Sequence, residues 1–122
     1  GMAEFTAAWA AGDPERLSDL YVEDAVRILN DVSGPIRGKD AIRAEWVARF
    51  ASEEERSSEA TINNVRLSYK VIGPDLVIVD GIYELFDEEG NFGYRGFWST
   101  VERIRDGISR IVLETAGEYK VE

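Results

Sequence analysis

An α+β domain, with three helices followed by a four-stranded antiparallel meander, is the fold class that the sequence predicts, and three observations predict it. Apolar residues recur at helical spacing only in the first fifty positions. From Thr61 onward the period changes to two, in four runs separated by turns rich in Gly, Pro, Asp and Asn. The two kinds of element are segregated rather than alternating, which puts the helices together on one face of the sheet.

The first helix rests on Phe5, Ala8 and Trp9 between Ala3 and Ala11, and Gly12 supplies its stop. Asp13-Pro14 restarts the chain, because Asp caps a helix and Pro suits a first turn that needs no N–H. Leu17, Leu20 and Tyr21 form the buried stripe of that second helix. Asp24 to Leu29 reads as a short extended piece, and Asn30 to Gly38, with two glycines and a proline, as a rim loop. Asp40 to Phe50 is the third helix, burying Ile42, Trp46, Val47 and Phe50 and carrying Glu45 and Arg49 outside as an i,i+4 pair. Ala51 to Ser58, with the run Glu53-Glu54-Glu55, is a solvated connection.

The strands follow as Thr61 to Val71, Leu76 to Phe86, and a long hairpin from Tyr94 to Tyr119. Gly73-Pro74-Asp75 and Asp87 to Asn91 make the first two turns, and Arg105-Asp106-Gly107 makes the hairpin turn, where Asp and Gly accept positive φ. Helices on one side give the two sheet faces different fates. The inner face is expected to hold Val65, Leu67, Tyr69, Val77, Val79, Gly81, Tyr83, Leu85, Phe97, Ser99, Val101, Ile111, Leu113 and Thr115. The outer face then holds Ile78, Ile82, Trp98 and Val112 among Arg66, Lys70, Asp80, Glu84, Glu102, Arg110 and Glu114. Apolar centres ringed by charges of both signs suit a self-complementary surface, so a homodimer through Ile78, Ile82, Trp98 and Val112 is expected. On this assignment the four acids form cross-strand ion pairs with Arg66, Lys70 and Arg110; with the faces reversed, Glu102 and Glu114 would line a pocket instead.

The composition narrows the chemistry. With 122 residues the chain is a single domain, 1–122, able to bury roughly two-thirds of its unfolded surface. A net charge of −10 repels phosphate backbones and anionic lipid heads, which predicts no nucleic-acid and no membrane partner. Without cysteine there are no disulfides or thiolate metal sites, which suits a reducing, cytoplasmic setting. Without histidine, the commonest general base and zinc ligand are missing, so no metal and no cofactor are expected and acid–base work falls to Asp, Glu, Tyr, Lys or water. No apolar run approaches the ~20 residues of a bilayer span, and the chain opens on helix-like sequence rather than a secretory leader.

Phe5 to Tyr21 with Trp9, Gly12-Asp13 and Leu20-Tyr21, then Glu23-Asp24-Ala25, Gly38-Lys39 and Ala41-Ile42, resemble the opening of SnoaL-like and ketosteroid-isomerase-like proteins of the nuclear transport factor 2 superfamily. Gly81, the Arg-Asp-Gly turn and the Ile111 strand continue the resemblance over nearly the whole chain. It implies a cone-shaped, cystatin-like α+β fold, a pocket between helices and a curved sheet, and dimers. Ketosteroid isomerase places a tyrosine on the first helix and a general-base aspartate after the second. Those positions fall on Phe5 and Leu29, a strand carboxylate position falls near Thr100 or Val101, and a further pocket tyrosine falls on Trp46. The familiar catalytic set is therefore not carried over; a two-residue insertion would bring Asp31 to the base position.

The aromatic residues still suit a small-molecule pocket. Its expected lining is Phe5, Trp9, Tyr21, Leu29, Trp46, Tyr69, Tyr83, Phe97, Ser99, Leu113 and Thr115, with Arg27 and Arg95 as rim anchors for a carboxylated ligand. Three classes of function fit: isomerase, cyclase or hydratase chemistry on an apolar or aromatic metabolite; a non-catalytic dimeric association domain; or a ligand-binding accessory protein.

Overall fold

The computed structural model describes residues 2–52, 61–87 and 89–119. Three helices open the chain: α1 (Met2–Ala11), α2 (Pro14–Ser18) and α3 (Lys39–Ala51). Gly12, at φ 63°, ends α1, and Asp13 caps α2 by accepting from the Arg16 N–H at 3.1 Å. Six strands follow or interleave: β1 (Tyr21–Leu29), β2 (Ile36–Arg37), β3 (Thr61–Val71), β4 (Leu76–Phe86), β5 (Phe92–Arg105) and β6 (Ile108–Tyr119). They form one mixed α+β sheet in the order β2-β1-β6-β5-β4-β3, antiparallel throughout except for the parallel pair β1 and β6. Among the described residues no helix is long and apolar enough to cross a membrane.

The meander and its hairpin turn stand as the alternation predicts, with Asp106 at φ 53° and Gly107 at φ 75°. Three departures matter. The second helix ends at Ser18, so Leu20 and Tyr21 leave it, and Tyr21 begins a nine-residue strand. The short extended piece is that strand's second half, and the rim loop contains β2; both extend the four-stranded meander to six strands. Pairing with β6 outweighs the helical spacing of Leu17, Leu20 and Tyr21, and the Ile111 N–H donates to the Leu20 carbonyl at 2.7 Å as the two strands meet. On α3, Val47 is 49% exposed rather than buried. The acidic run Glu53-Glu54-Glu55 lies outside the described residues.

The core gathers where the helices meet β1 and β6. Ala8, Trp9, Leu17, Tyr21, Ala25, Ile42, Trp46, Leu85 and Ile111 are all buried there. Trp46 meets Phe5 edge-on at 5.8 Å and stacks on Phe50 at 5.5 Å. Such aromatic pairs add ~0.5–1.5 kcal/mol each beyond the area they bury.

Irregular register decides what faces the helices. A shift between Arg66 and Ser68 on β3, and another opposite Val101 and Glu102 that leaves Val112 unpaired on β6, slip one residue each. One slip exchanges the faces of everything beyond it. The concave face therefore carries successive cross-strand rows: Val71, Val77, Glu102, Ile111 and Tyr21; then Tyr69, Val79, Thr100, Glu114 and Arg27; then Arg66, Gly81, Trp98, Ala116 and Leu29. The expected inner positions on β4 hold. On β5, Phe97, Ser99 and Val101 lie on the convex side instead, as do Val65 on β3 and Leu113 and Thr115 on β6, while Leu67 at the β3 irregularity is 63% exposed. Trp98, expected outside, lies inside.

Candidate functional site

Between α1, α3 and the concave sheet lies a cavity of about 290 Å³. Phe5, Trp9, Leu20, Trp46, Ile62, Val77, Val79, Leu85 and Ile111 give it apolar walls. Trp98 crosses its floor over Gly81, a position where a Cβ would stand 2.2 Å from the Val65 carbonyl oxygen and 2.6 Å from the indole. Tyr83 occupies the equivalent space over Gly96. Glycine at these two strand positions lets the aromatic rings lie across the sheet rather than stand up from it.

A line of polar groups crosses this floor. At its centre Tyr21 Oη donates to Glu114 Oε1 at 2.6 Å, and Arg27 Nη1 reaches the same oxygen at 2.5 Å. Arg27 Nε also donates to Glu45 at 3.1 Å, and the guanidinium lies 4.1 Å from the Trp46 ring centroid. From Glu45 the network continues to Arg49 at 2.7 Å and from Arg49 to Asp31 at 3.1 Å. The i,i+4 pair of α3 thus forms as expected but joins an interior network. Arg27 and Glu114 are 3% and 4% exposed, so each charge is out of water and depends on the other.

Burial, together with the negative charge of Glu114, pushes the Tyr21 phenol well above its ordinary range. Burial alone would pull Arg27 down, but Glu114, Tyr21 and Glu45 together hold it above its ordinary value. At the rim, hydrogen bonding from Arg49 holds the Asp31 carboxyl below the usual range. Near neutral pH Tyr21 is a neutral donor, Arg27 a cation and Asp31 an anion.

On the neighbouring row stands a second carboxylate of different character. Glu102 accepts from Thr100 Oγ1 at 2.6 Å and from Ser109 Oγ at 2.6 Å. It lines the cavity with both donors, and no cation pairs with it among the described residues. A carboxylate held by hydroxyls is a competent proton acceptor, because each hydroxyl can rotate from donor to acceptor when the acid takes up a proton. Among the described residues no three acidic side chains converge as a metal site.

Of the residues the sequence singles out, Phe5, Trp9, Leu29, Trp46, Tyr69 and Tyr83 line the cavity, and Asp31 stands at its edge. Tyr21 lies behind the wall and touches the site through Glu114. Phe97 and Ser99 are corrected to the convex face by their pairing with Ile82 and Asp80 of β4, and Leu113 and Thr115 by the register slip at Val112. Neither arginine expected at the rim is an open anchor: Arg27 is buried on Glu114, and Arg95 pairs with Glu84 at 2.8 Å on the convex side. Glu102, Glu114 and Arg66 are polar lining that the assumed register assigned to the outer face, and Thr100 and Ser109 line the cavity with them. The signal available for the first two was the reversed-face alternative.

Three solved structures of the same architecture are distant from this chain in sequence. A ketosteroid isomerase-like protein from Erwinia carotovora atroseptica SCRI1043 superposes with a TM-score of 0.77 at 12% identity, covering 98% of this chain and 92% of its own. A domain of unknown function with a cystatin-like fold from Nostoc punctiforme gives 0.81 at 12% identity, over 98% of this chain and 74% of that one. An NTF-2 like protein of unknown function from Shewanella oneidensis MR-1 gives 0.75 at 17% identity, over 95% and 92%. Comparison with curated proteins finds no match. At these identities the structural likeness speaks for the cystatin-like, NTF2-like fold alone. The sequence itself matches the model of the SnoaL-like domain over residues 2–114, and the chain belongs to that family.

Proposed function

We propose that the protein binds an apolar or aromatic small molecule in the concave cavity and moves a proton on it, with Glu102 as the proton acceptor. The observation that carries this reading is the Glu102 carboxylate, set in a largely apolar cavity wall and held by the Thr100 and Ser109 hydroxyls rather than by a cation. In the proposed step the carboxylate removes a proton from a carbon next to an electron-withdrawing group. The C–H electron pair moves into the substrate's conjugated system, and the proton is returned at another carbon; water attacking an alkene or carbonyl could be deprotonated by the same group. Isomerisation, cyclisation and hydration all use such a step, and a positioned acid or base contributes ~10²–10⁴-fold.

The test is thermal shift against steroids, polyketides and aromatic acids, followed by deuterium uptake from D₂O into any compound that raises the melting temperature. Glu102→Gln should retain the shift and lower uptake ~10²–10⁴-fold. A panel that produces no shift defeats the pocket reading, and uptake unchanged in Glu102→Gln defeats the role of Glu102.

A second reading concerns the convex face. We infer that it mates with a second copy of the chain, because Val65, Ile82 and Phe97 form one apolar cross-strand row and Ile78, Val101, Leu113 and Val26 another. Phe97 is 41% exposed and Val65 39%. Trp98 drops out of the expected contact because it faces the cavity, while Ile78 and Ile82 remain in it. Sedimentation at micromolar concentration should give a dimer; a clean monomer removes this reading.

A further inference from the structure

We propose that the ligand of this cavity is an anion, an apolar or aromatic carboxylic acid, whose carboxylate is held by Arg66 on β3. The inference rests on the binding reading above and narrows it to a chemical class. Three arginines line the cavity. Arg27 is occupied by Glu114 and Glu45, and Arg49 by Glu45 and Asp31. Arg66 pairs with no carboxylate among the described residues; its guanidinium lies 5.5 Å from the ring centroid of Tyr69 instead.

That isolation is built into the sheet. On the concave face the neighbours of Arg66 are Asn64, Tyr69, Gly81 and Tyr83, none of them charged. The acids of the adjoining strand point the other way and are already engaged, Asp80 by the Ser68 hydroxyl at 2.8 Å and Glu84 by Arg95 at 2.8 Å. In a chain with 24 acidic and 14 basic residues, an exposed cavity-lining cation that pairs with no carboxylate among the described residues is a position open to an external anion. Gly81 directly opposite presents no side chain, and the Trp98 indole lies across it next in the row.

Geometry also separates the anchor from the proton acceptor. Glu102 lies two strands away and four residues further along, roughly 16 Å between backbones at ~4.8 Å per strand and ~3.3 Å per residue. Once both side chains extend toward each other, the remaining gap suits the body of a bicyclic aromatic acid. Its carboxylate at Arg66 would then stay clear of the Glu102 charge, and its far end would meet Glu102 and Thr100.

Calorimetry with 2-naphthoate and 2-naphthamide tests this on the intact protein. The wild type should bind the acid about tenfold or more tightly than the amide, and added salt should weaken the acid alone. Arg66→Gln should lose about tenfold to a hundredfold in affinity for the acid, the size of a charge-assisted hydrogen bond, and hold the amide within about twofold. Equal binding of acid and amide by the wild type, or undiminished binding of the acid by Arg66→Gln, overturns the role of Arg66 while leaving the pocket intact. Failure of both compounds to bind removes this inference together with the pocket reading it rests on.

Discussion

Glu114 and Glu102 stand on adjacent rows of the same concave face, each accepting from at least one hydroxyl at 2.6 Å, yet the two carboxylates are built for different work. Glu114 is 4% exposed and shares one oxygen between Tyr21 and Arg27. Arg27 is a donor only and never gives up its proton, so protonating Glu114 would leave a buried cation unpaired. Glu102 has hydroxyl partners that can reverse their hydrogen bonds, and no cation to strand. The first carboxylate joins β1 to β6 across the parallel pair that the meander alone would lack. The second joins neighbouring hydroxyls and has no cation partner among the described residues. Burial by itself therefore does not mark a functional acid; the identity of its donors does.

The largest effect should come from breaking the Arg27 to Glu114 pair on one side only. Arg27→Met leaves the Glu114 carboxylate buried without its cation, and loss of one partner of a buried pair costs about 3–5 kcal/mol. Adding Glu114→Gln should recover more than half of that loss, since the amide oxygen still accepts from Tyr21 while the buried charge is gone. Glu102→Gln, judged by the same urea titration, should cost less, about 1–2 kcal/mol, because the amide can re-form hydrogen bonds with the two hydroxyls and no buried cation is left unpaired. If Glu102→Gln proved as damaging as Arg27→Met, both carboxylates would be architectural and the distinction drawn between them would fail.

Gly81→Ala should come next in size. Its Cβ would meet the Val65 carbonyl oxygen and the Trp98 ring, one a backbone atom and the other a half-buried indole, so the site does not open cheaply. Overpacking of this kind costs ~1–3 kcal/mol and should shift Trp98, visible as a change in its fluorescence. Gly34→Ala is the control: a Cβ there meets nothing within 4 Å, and the change should stay within about 0.5 kcal/mol. A neutral Gly81→Ala would mean that the floor of the cavity can move, and that the row from Arg66 to Trp98 is not a rigid frame.

The elements were legible in the sequence to the extent that each declares itself locally. The strand spans Thr61 to Val71 and Leu76 to Phe86, the Asp106-Gly107 turn and the Asp13-Pro14 start all depend on near neighbours, and all stand where alternation and turn chemistry put them. β1 was only half legible, because Tyr21 continues the spacing of Leu17 and Leu20, and only pairing with a strand ninety residues away reassigns it. The site was legible on the helices and on β4, where Phe5, Trp9, Trp46 and Tyr83 reach the cavity. It was misread on β5 and β6 for a physical reason. Phe97 and Trp98 give both faces of β5 an aromatic residue, so hydrophobicity does not choose between them. On β5 the choice is made by pairing with β4, which sets Trp98 opposite Gly81 and Phe97 opposite Ile82; on β6 it is made by a one-residue irregularity at Val112 and by Arg27 and Tyr21, which supply Glu114 with partners from a different strand. Alternation within one strand contains neither fact.

The smallest effect tests the outer end of the charged line. Arg49 donates two hydrogen bonds to Asp31, at 3.1 and 3.2 Å, and holds its carboxyl below the usual range. A folded-state value below the unfolded value of ~3.9 means that the pair stabilises the fold above that pH and is lost as pH falls through the lower, folded value. Asp31→Asn should therefore flatten the acid limb of a stability curve below about pH 4 and leave the curve above pH 5 lower by only ~0.2–1 kcal/mol, because the Asp31 side chain is 46% exposed and screened by water. Retention of deuterium exchange in this variant would match proton transfer at Glu102. Loss of exchange with binding intact would move the reacting carbon to the opposite end of the cavity and make the rim carboxylate, rather than the hydroxyl-held one, the proton acceptor.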